Sequence, residues 1–156
     1  MQVNTDLQAL KLVLDQLNVG TSIDDISQRK EKQKAIYLAR LAGVDLGYPY
    51  GWYVRGPYSP SLTKHYYELQ SSTGEITVSL KKEIVEDLDR LKVDIFESSR
   101  RPQDLGMPDW LELLASWHYL RTVSKYDKKS ADKIMSNKKK HVSEYTDIAE
   151  ELVIPT

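Results

Sequence analysis

The chain has 156 residues, 40% of them apolar and 29% charged, with a net charge of −1 and no cysteine. A single domain of that length, residues 1–156, can bury roughly 68–70% of its unfolded surface without a disulfide or metal staple, and the balance is far from that of disordered chains. Lack of cysteine excludes disulfides, thiolate metal sites and cysteine nucleophiles, while the near-zero charge gives no bulk reason to expect nucleic acid. The first residues, MQVNTDLQALKLVLDQL, carry no basic leader before an apolar core. No run approaches the ~20 apolar residues that span a bilayer. A cytoplasmic protein without a membrane segment is expected.

Leu7, Leu10, Leu14 and Leu17 recur at helical spacing behind Asn4, Thr5 and Asp6, which predicts a first helix that Gly20 ends. A second helix is expected from Asp25 to Ala42, loosely capped by Ser27 with Glu31, its apolar stripe carried by Ala35, Ile36, Leu38 and Ala39. Arg29, Lys30, Lys32 and Lys34 crowd its start, against the helix dipole. That opposition hints that these basic groups point at something. From Gly47 the helical period vanishes. Trp52, Tyr53 and Val54 read as a short strand, one arm of a small hairpin at most, closed by the Gly56-Pro57 turn signal. Ser59, Pro60 and Ser61 read as the entry to a third helix, with the proline in its first turn.

Ser71 to Gly74 reads as a loop, with Ile76 and Val78 extended. Ser79 is placed to cap a long amphipathic helix striped by Leu80, Ile84, Leu88, Leu91 and Ile95. Residues Ser98 to Asp109 read as a connection. Trp110, Leu111, Leu113, Leu114, Trp117, His118 and Leu120 then form the most apolar helix, expected at the centre of a bundle. Ser130 and Ser143 are placed to start two shorter helices, from Ala131 to about Lys139 and from Glu144 to Leu152. The fold class expected is mainly α: a bundle of six or seven helices with a short extended segment or small hairpin near residues 50–58.

No catalytic constellation stands out. His-Glu-x-x-His, Gly-rich phosphate loops, Gly-x-Ser-x-Gly and EF-hand spacing are all missing, so no catalytic residue, metal or cofactor is expected. Glu83, Glu86, Asp87 and Asp89 interleave with Leu88 and Leu91, as on a solvated helix face. His118, between Trp117 and Tyr119, fits a hydrogen-bonded interior or boundary position.

The informative stretch is YPYGWYVRGPYSPSLTKHYY, which packs six of the ten tyrosines and one of the three tryptophans into residues 48–67. Pro57 fixes its own φ and restricts its neighbour, leaving Gly56 to meet whatever the corner demands. Arg55, framed by Trp52, Tyr53 and Tyr58, has the composition of a protein-interaction hot spot. Tyrosines here can also simply pin the turn to the bundle. The partner-binding set expected is Trp52, Tyr53, Arg55, Tyr58, Ser59, Lys64, His65 and Tyr66.

Two features of this region resemble a known family. Lys34, Tyr37, Leu38, Ala39 and Gly43 fit a KxxYLxxxxG-like helix, and Trp52, Tyr53, Gly56, Pro57, Tyr58, Ser59, Pro60 and Leu62 fit an aromatic strand followed by a GPYSP turn, with Tyr67, Glu68 and Leu69 beyond it. The combination resembles the small bacterial YwgA-like proteins and, more distantly, the SocA-like antitoxin domain called Panacea. It covers residues Lys30 to Leu69. The resemblance implies a mostly helical domain without a known active site, which binds another protein as antitoxin, inhibitor or adaptor in a prokaryotic or phage defence or mobile-element setting.

The alternative is nucleic-acid binding. The second helix, the extended segment and the third helix could imitate a winged helix, with Arg55 and Lys64 meeting phosphates. Lys125, Lys128, Lys129, Lys133, Lys138, Lys139 and Lys140 would extend that patch, facing only Asp127 and Asp132 within the same stretch. Charge runs of this kind more often form solvated helix faces.

Overall fold

The apolar run that starts at Trp110 is the axis of the molecule. In the computed structural model, which describes residues 4–72 and 74–155, helix α5 (Met107–His118) buries Trp110, Leu111, Leu113, Leu114 and Trp117 completely. Around it lie α1 (Thr5–Gln16), α2 (Ile26–Ala39), α3 (Pro60–Ser71), α4 (Lys82–Leu91), α6 (Lys128–Lys138) and α7 (Thr146–Val153). A two-stranded antiparallel hairpin, β1 (Gly51–Tyr53) and β2 (Gly56–Tyr58), separates α2 from α3. The expected mainly α bundle with a small hairpin is what forms. α2 and α7 pack most extensively on α5, and one apolar cluster draws side chains from all of the helices named. No helix among the described residues is long and apolar enough to cross a membrane.

Caps explain most helix starts, and two correct the sequence expectation. Asn4 accepts from the Asp6 amide at 2.7 Å and Ser59 accepts from the Leu62 amide at 3.3 Å, as expected. α2 instead starts from Asp25, which forms a reciprocal capping box with Gln28 rather than a Ser27–Glu31 pair. α6 begins at Lys128 because Asp127 accepts from the Ser130 amide at 2.7 Å; the serine is the third helical residue, not the cap. An ionised acceptor at a helix start is favoured by the dipole as well as by the hydrogen bond.

α4 departs in another way. It starts at Lys82 with no side-chain cap, so Ser79 lies outside it, and packing of Leu88 and Leu91 holds it. α4 and α5 each end in a wider π-helical turn, Lys92–Phe96 and Tyr119–Val123. α2 ends in a 3₁₀ turn at Arg40–Ala42, and another at Ser143–Tyr145 leads into α7. α3 runs on to Ser71, one residue into the expected loop, of which Thr73 lies outside the described residues. No strand forms at Ile76 or Val78; the Thr77 and Val78 amides donate instead to Gln8 Oε1 at 2.6 and 3.1 Å.

A braced hairpin above a buried ion cluster as the candidate functional site

The hairpin pairs Gly51 with Tyr58, Trp52 with Pro57 and Tyr53 with Gly56, leaving Val54 and Arg55 as its tip. Gly56 alone among residues 51–58 takes a left-handed φ, 95°, the device by which such loops close. No other residue fits there, since a Cβ would lie 2.3 Å from Ser116 Oγ. The glycine thus lets the hairpin sit directly on α5.

Side chains of α2 hold the hairpin from below. Gln33 makes a two-way clamp, its amide donating to the Ser59 carbonyl and its oxygen accepting from the Ser59 amide, both at 2.9 Å. Lys34 Nζ donates to the Pro57 carbonyl at 2.7 Å, and Lys139 Nζ donates to the Val54 carbonyl. Thr63 of α3 donates to the Tyr58 hydroxyl at 2.6 Å and lies 3.2 Å from that of Tyr66. Tyr53 and Tyr58 meet edge to face at 5.1 Å. The tip itself is left to solvent: Val54 is 87% exposed, Tyr53 49%, and Arg55 is exposed too.

Beneath the hairpin lies Glu112, 1% exposed. Its carboxylate accepts from Lys30 Nζ at 2.7 Å, lies 3.1 Å from Lys139 Nζ and is 3.0 Å from His141 Nε2. Lys30 also reaches Asp109 at 2.8 Å. Burial alone would push the Glu112 carboxyl up, but hydrogen bonds from Lys30 and His141 and the charges of Lys30 and Lys139 hold it down at about 2. Lys34, one helical turn from Lys30, is lowered to about 7, chiefly by burial; Glu112 opposes the shift, and Lys139, Lys30 and Arg55 add to it. Asp109, Glu112 and His141 lie close enough to share a cation. The Lys30 ammonium already occupies that place between the two acids.

The expected partner-binding residues divide into groups. Tyr53 and Arg55 are displayed at the tip, and Arg55 has no hydrogen bond or ion pair with any described residue. Trp52 is half buried, its ring against Tyr119 with Lys139 Nζ 5.5 Å from its centre. Ser59 and Tyr66 are buried, and Tyr58 is half buried with its hydroxyl on Thr63. Lys64 is exposed, and His65 bonds the Tyr48 hydroxyl at 2.7 Å beside a different cavity, which Asp6 and Ser61 also line. The structure therefore does not bring Lys64 or His65 to Arg55.

Of the lysine run, Lys125, Lys128, Lys129, Lys133, Lys138 and Lys140 are exposed, with Lys128 3.2 Å from Asp147. Lys139 is buried in the ion cluster and is not part of that surface. α2, the helix a winged-helix reading would lay in a groove, is buried from Lys32 to Ala39. His118 is half buried and bonds the Tyr37 hydroxyl at 2.8 Å; burial, then Arg40, lowers it to about 4.

Lys30, Gln33, Lys34, Asp109, Glu112 and His141 build the site but are absent from the expected binding set. Two signals pointed at them. Lysines crowd the start of α2 against its dipole, and Glu112 is the sole carboxylate between Trp110 and Trp117 in an otherwise apolar helix. Compared with models of known protein families, with characterised proteins and with solved structures, the chain matches none of them.

Proposed function

We propose that this chain is a non-catalytic protein-interaction module that docks through the β1–β2 hairpin. The observation that carries the reading is the Arg55 guanidinium beside Val54, unpartnered among the described residues, on a hairpin held from beneath by Lys139 at Val54, Lys34 at Pro57 and Gln33 at Ser59. A preformed display loses little conformational freedom on binding, and arginine flanked by aromatic rings is the usual make-up of an interface anchor. The resemblance to YwgA-like and SocA-like (Panacea) proteins supplies the setting: an antitoxin, inhibitor or adaptor acting in the cytoplasm of a prokaryotic or phage defence or mobile-element system. Burial of α2 from Lys32 to Ala39 speaks against the winged-helix form of the nucleic-acid alternative, since that helix has no free face to lay in a groove.

The test is affinity capture with the wild-type chain, followed by reconstitution of the purified pair. Arg55→Ala and Val54→Asn should each weaken the complex, the arginine variant by about tenfold or more. Both should keep the helical circular-dichroism signal and melting temperature of the wild type, because neither side chain supports the fold. Unchanged affinity in both variants, or unfolding of both, removes the reading.

A further inference from the structure

We infer that the cavity between α2, the hairpin and α3 receives the carboxylate of an acidic side chain on the docked protein, gripped by Arg55; this rests on the docking reading above. The cavity has a volume of about 230 Å³ and is lined by Arg29, Lys34, Arg55, Tyr58, Thr63 and Tyr66 among others, with no aspartate or glutamate on its wall. Sites for drug-sized ligands run to roughly 300–1,000 Å³. This one suits a single inserted side chain.

Its positive groups are unequally occupied. Lys30, also on the wall, is committed to Asp109 and Glu112. Arg29 Nη1 donates to the Ile23 carbonyl at 3.0 Å and Lys34 Nζ to the Pro57 carbonyl at 2.7 Å, both neutral acceptors. Arg55 has no hydrogen bond or ion pair with any described residue. The region is therefore short of negative charge. The lowering of Lys34 to about 7 agrees, since Lys139, Lys30 and Arg55 all push the same way as burial and only Glu112 opposes them. A planar carboxylate matches the guanidinium fork with two parallel hydrogen bonds. The same fork also fits phosphate, but a phosphate dianion brings two charges against the one cation of the cavity wall that is uncommitted among the described residues.

The experiment is an NMR titration of the full chain with N-acetyl-glutamate amide, run beside N-acetyl-glutamine amide and inorganic phosphate. The glutamate probe should give a saturable shift of the Arg55 Nε–H resonance and raise the titration midpoint of Lys34. Arg55→Gln should weaken its binding by about tenfold to a hundredfold, the scale of one charge-assisted pair. Lys82→Gln, at an exposed α4 position outside the cavity lining, should leave the response intact. An equal response to the glutamine probe, tighter binding of phosphate, or unaltered affinity in Arg55→Gln overturns the inference. Because no partner is present in the titration, its failure removes the carboxylate assignment alone and leaves docking to be decided by the capture experiment.

Discussion

Lys34 carries an ordinary charged side chain into an interior where no carboxylate of the described residues lies within ion-pair distance of it. Its midpoint falls to about 7 from the usual 10.5. Above that midpoint the folded chain has released a proton that the unfolded chain still holds. Folding stability therefore rises with pH from about 7 to about 10.5, by at most ~1.4 kcal/mol per pH unit from this group. Below pH 7 both states are protonated, and the penalty of burying the charge is constant. Lys34→Met removes this increment, so urea unfolding between pH 6 and 10 should show the wild type gaining on the variant as pH rises. Parallel profiles would mean that Lys34 stays charged in the fold.

At the scale of the element, the hairpin is too short to be stable alone; two strands in water are marginal at best. It persists because α2, α3 and α5 hold it, and Gly56 is the hinge of that arrangement. Gly56→Ala would combine a left-handed φ with a Cβ driven against Ser116 Oγ. We expect a loss of about 2–4 kcal/mol in denaturant unfolding, from the strain and overpacking together. Gly51→Ala is the control: its Cβ would meet only the Tyr53 ring, at 3.1 Å, which can swing aside. Equal losses in the two variants would show that close seating on α5 is unimportant. α7 is tied down by a comparable side-chain contact, Glu150 accepting from Trp117 Nε1 at 2.9 Å and from Arg121 Nε and Nη2 at 2.9 and 3.2 Å.

For the molecule as a whole, Glu112 is the joint. Through Lys30 it links α5 to α2, through Lys139 and His141 it links α5 to the segment after α6, and Lys139 carries the link on to the hairpin. Breaking a buried pair by removing one member leaves the other charge uncompensated. Glu112→Gln should therefore lower stability by about 3–5 kcal/mol. Replacing the acid and its two lysines together (Glu112→Leu, Lys30→Met, Lys139→Met) should recover most of that loss, because a packed apolar trio has no charge to desolvate. If the triple variant is no more stable than Glu112→Gln, the cluster contributes more than the mutual compensation of its charges.

Periodicity and caps made the helices legible in the chain itself. Leucines at helical spacing marked α1, the Trp110–Leu120 run marked the central helix, Trp52 and Tyr53 marked the first strand and Ser59-Pro60 the start of α3, whereas Gly56-Pro57, expected as the turn, forms the second strand and the turn falls at Val54 and Arg55. The starts of α4 and α6 differ from the serines expected because serine is only one of several residues that can begin a helix, and packing or a nearby aspartate decides which does. The candidate site was legible in part. Tyr53 and Arg55 stood out because their types and their turn neighbours are local facts. Glu112, Lys30, Lys34 and Lys139 did not, because a charge looks the same in sequence whether it faces water or another charge. Amphipathic pattern and turn chemistry act between near neighbours, so the order of residues alone determined the elements and the exposed turn. Which lysines were buried, and against which carboxylate, depended on contacts between positions far apart in the chain, 82 residues for Lys30 and Glu112, and only the packing of α2, α5 and the segment after α6 decided that.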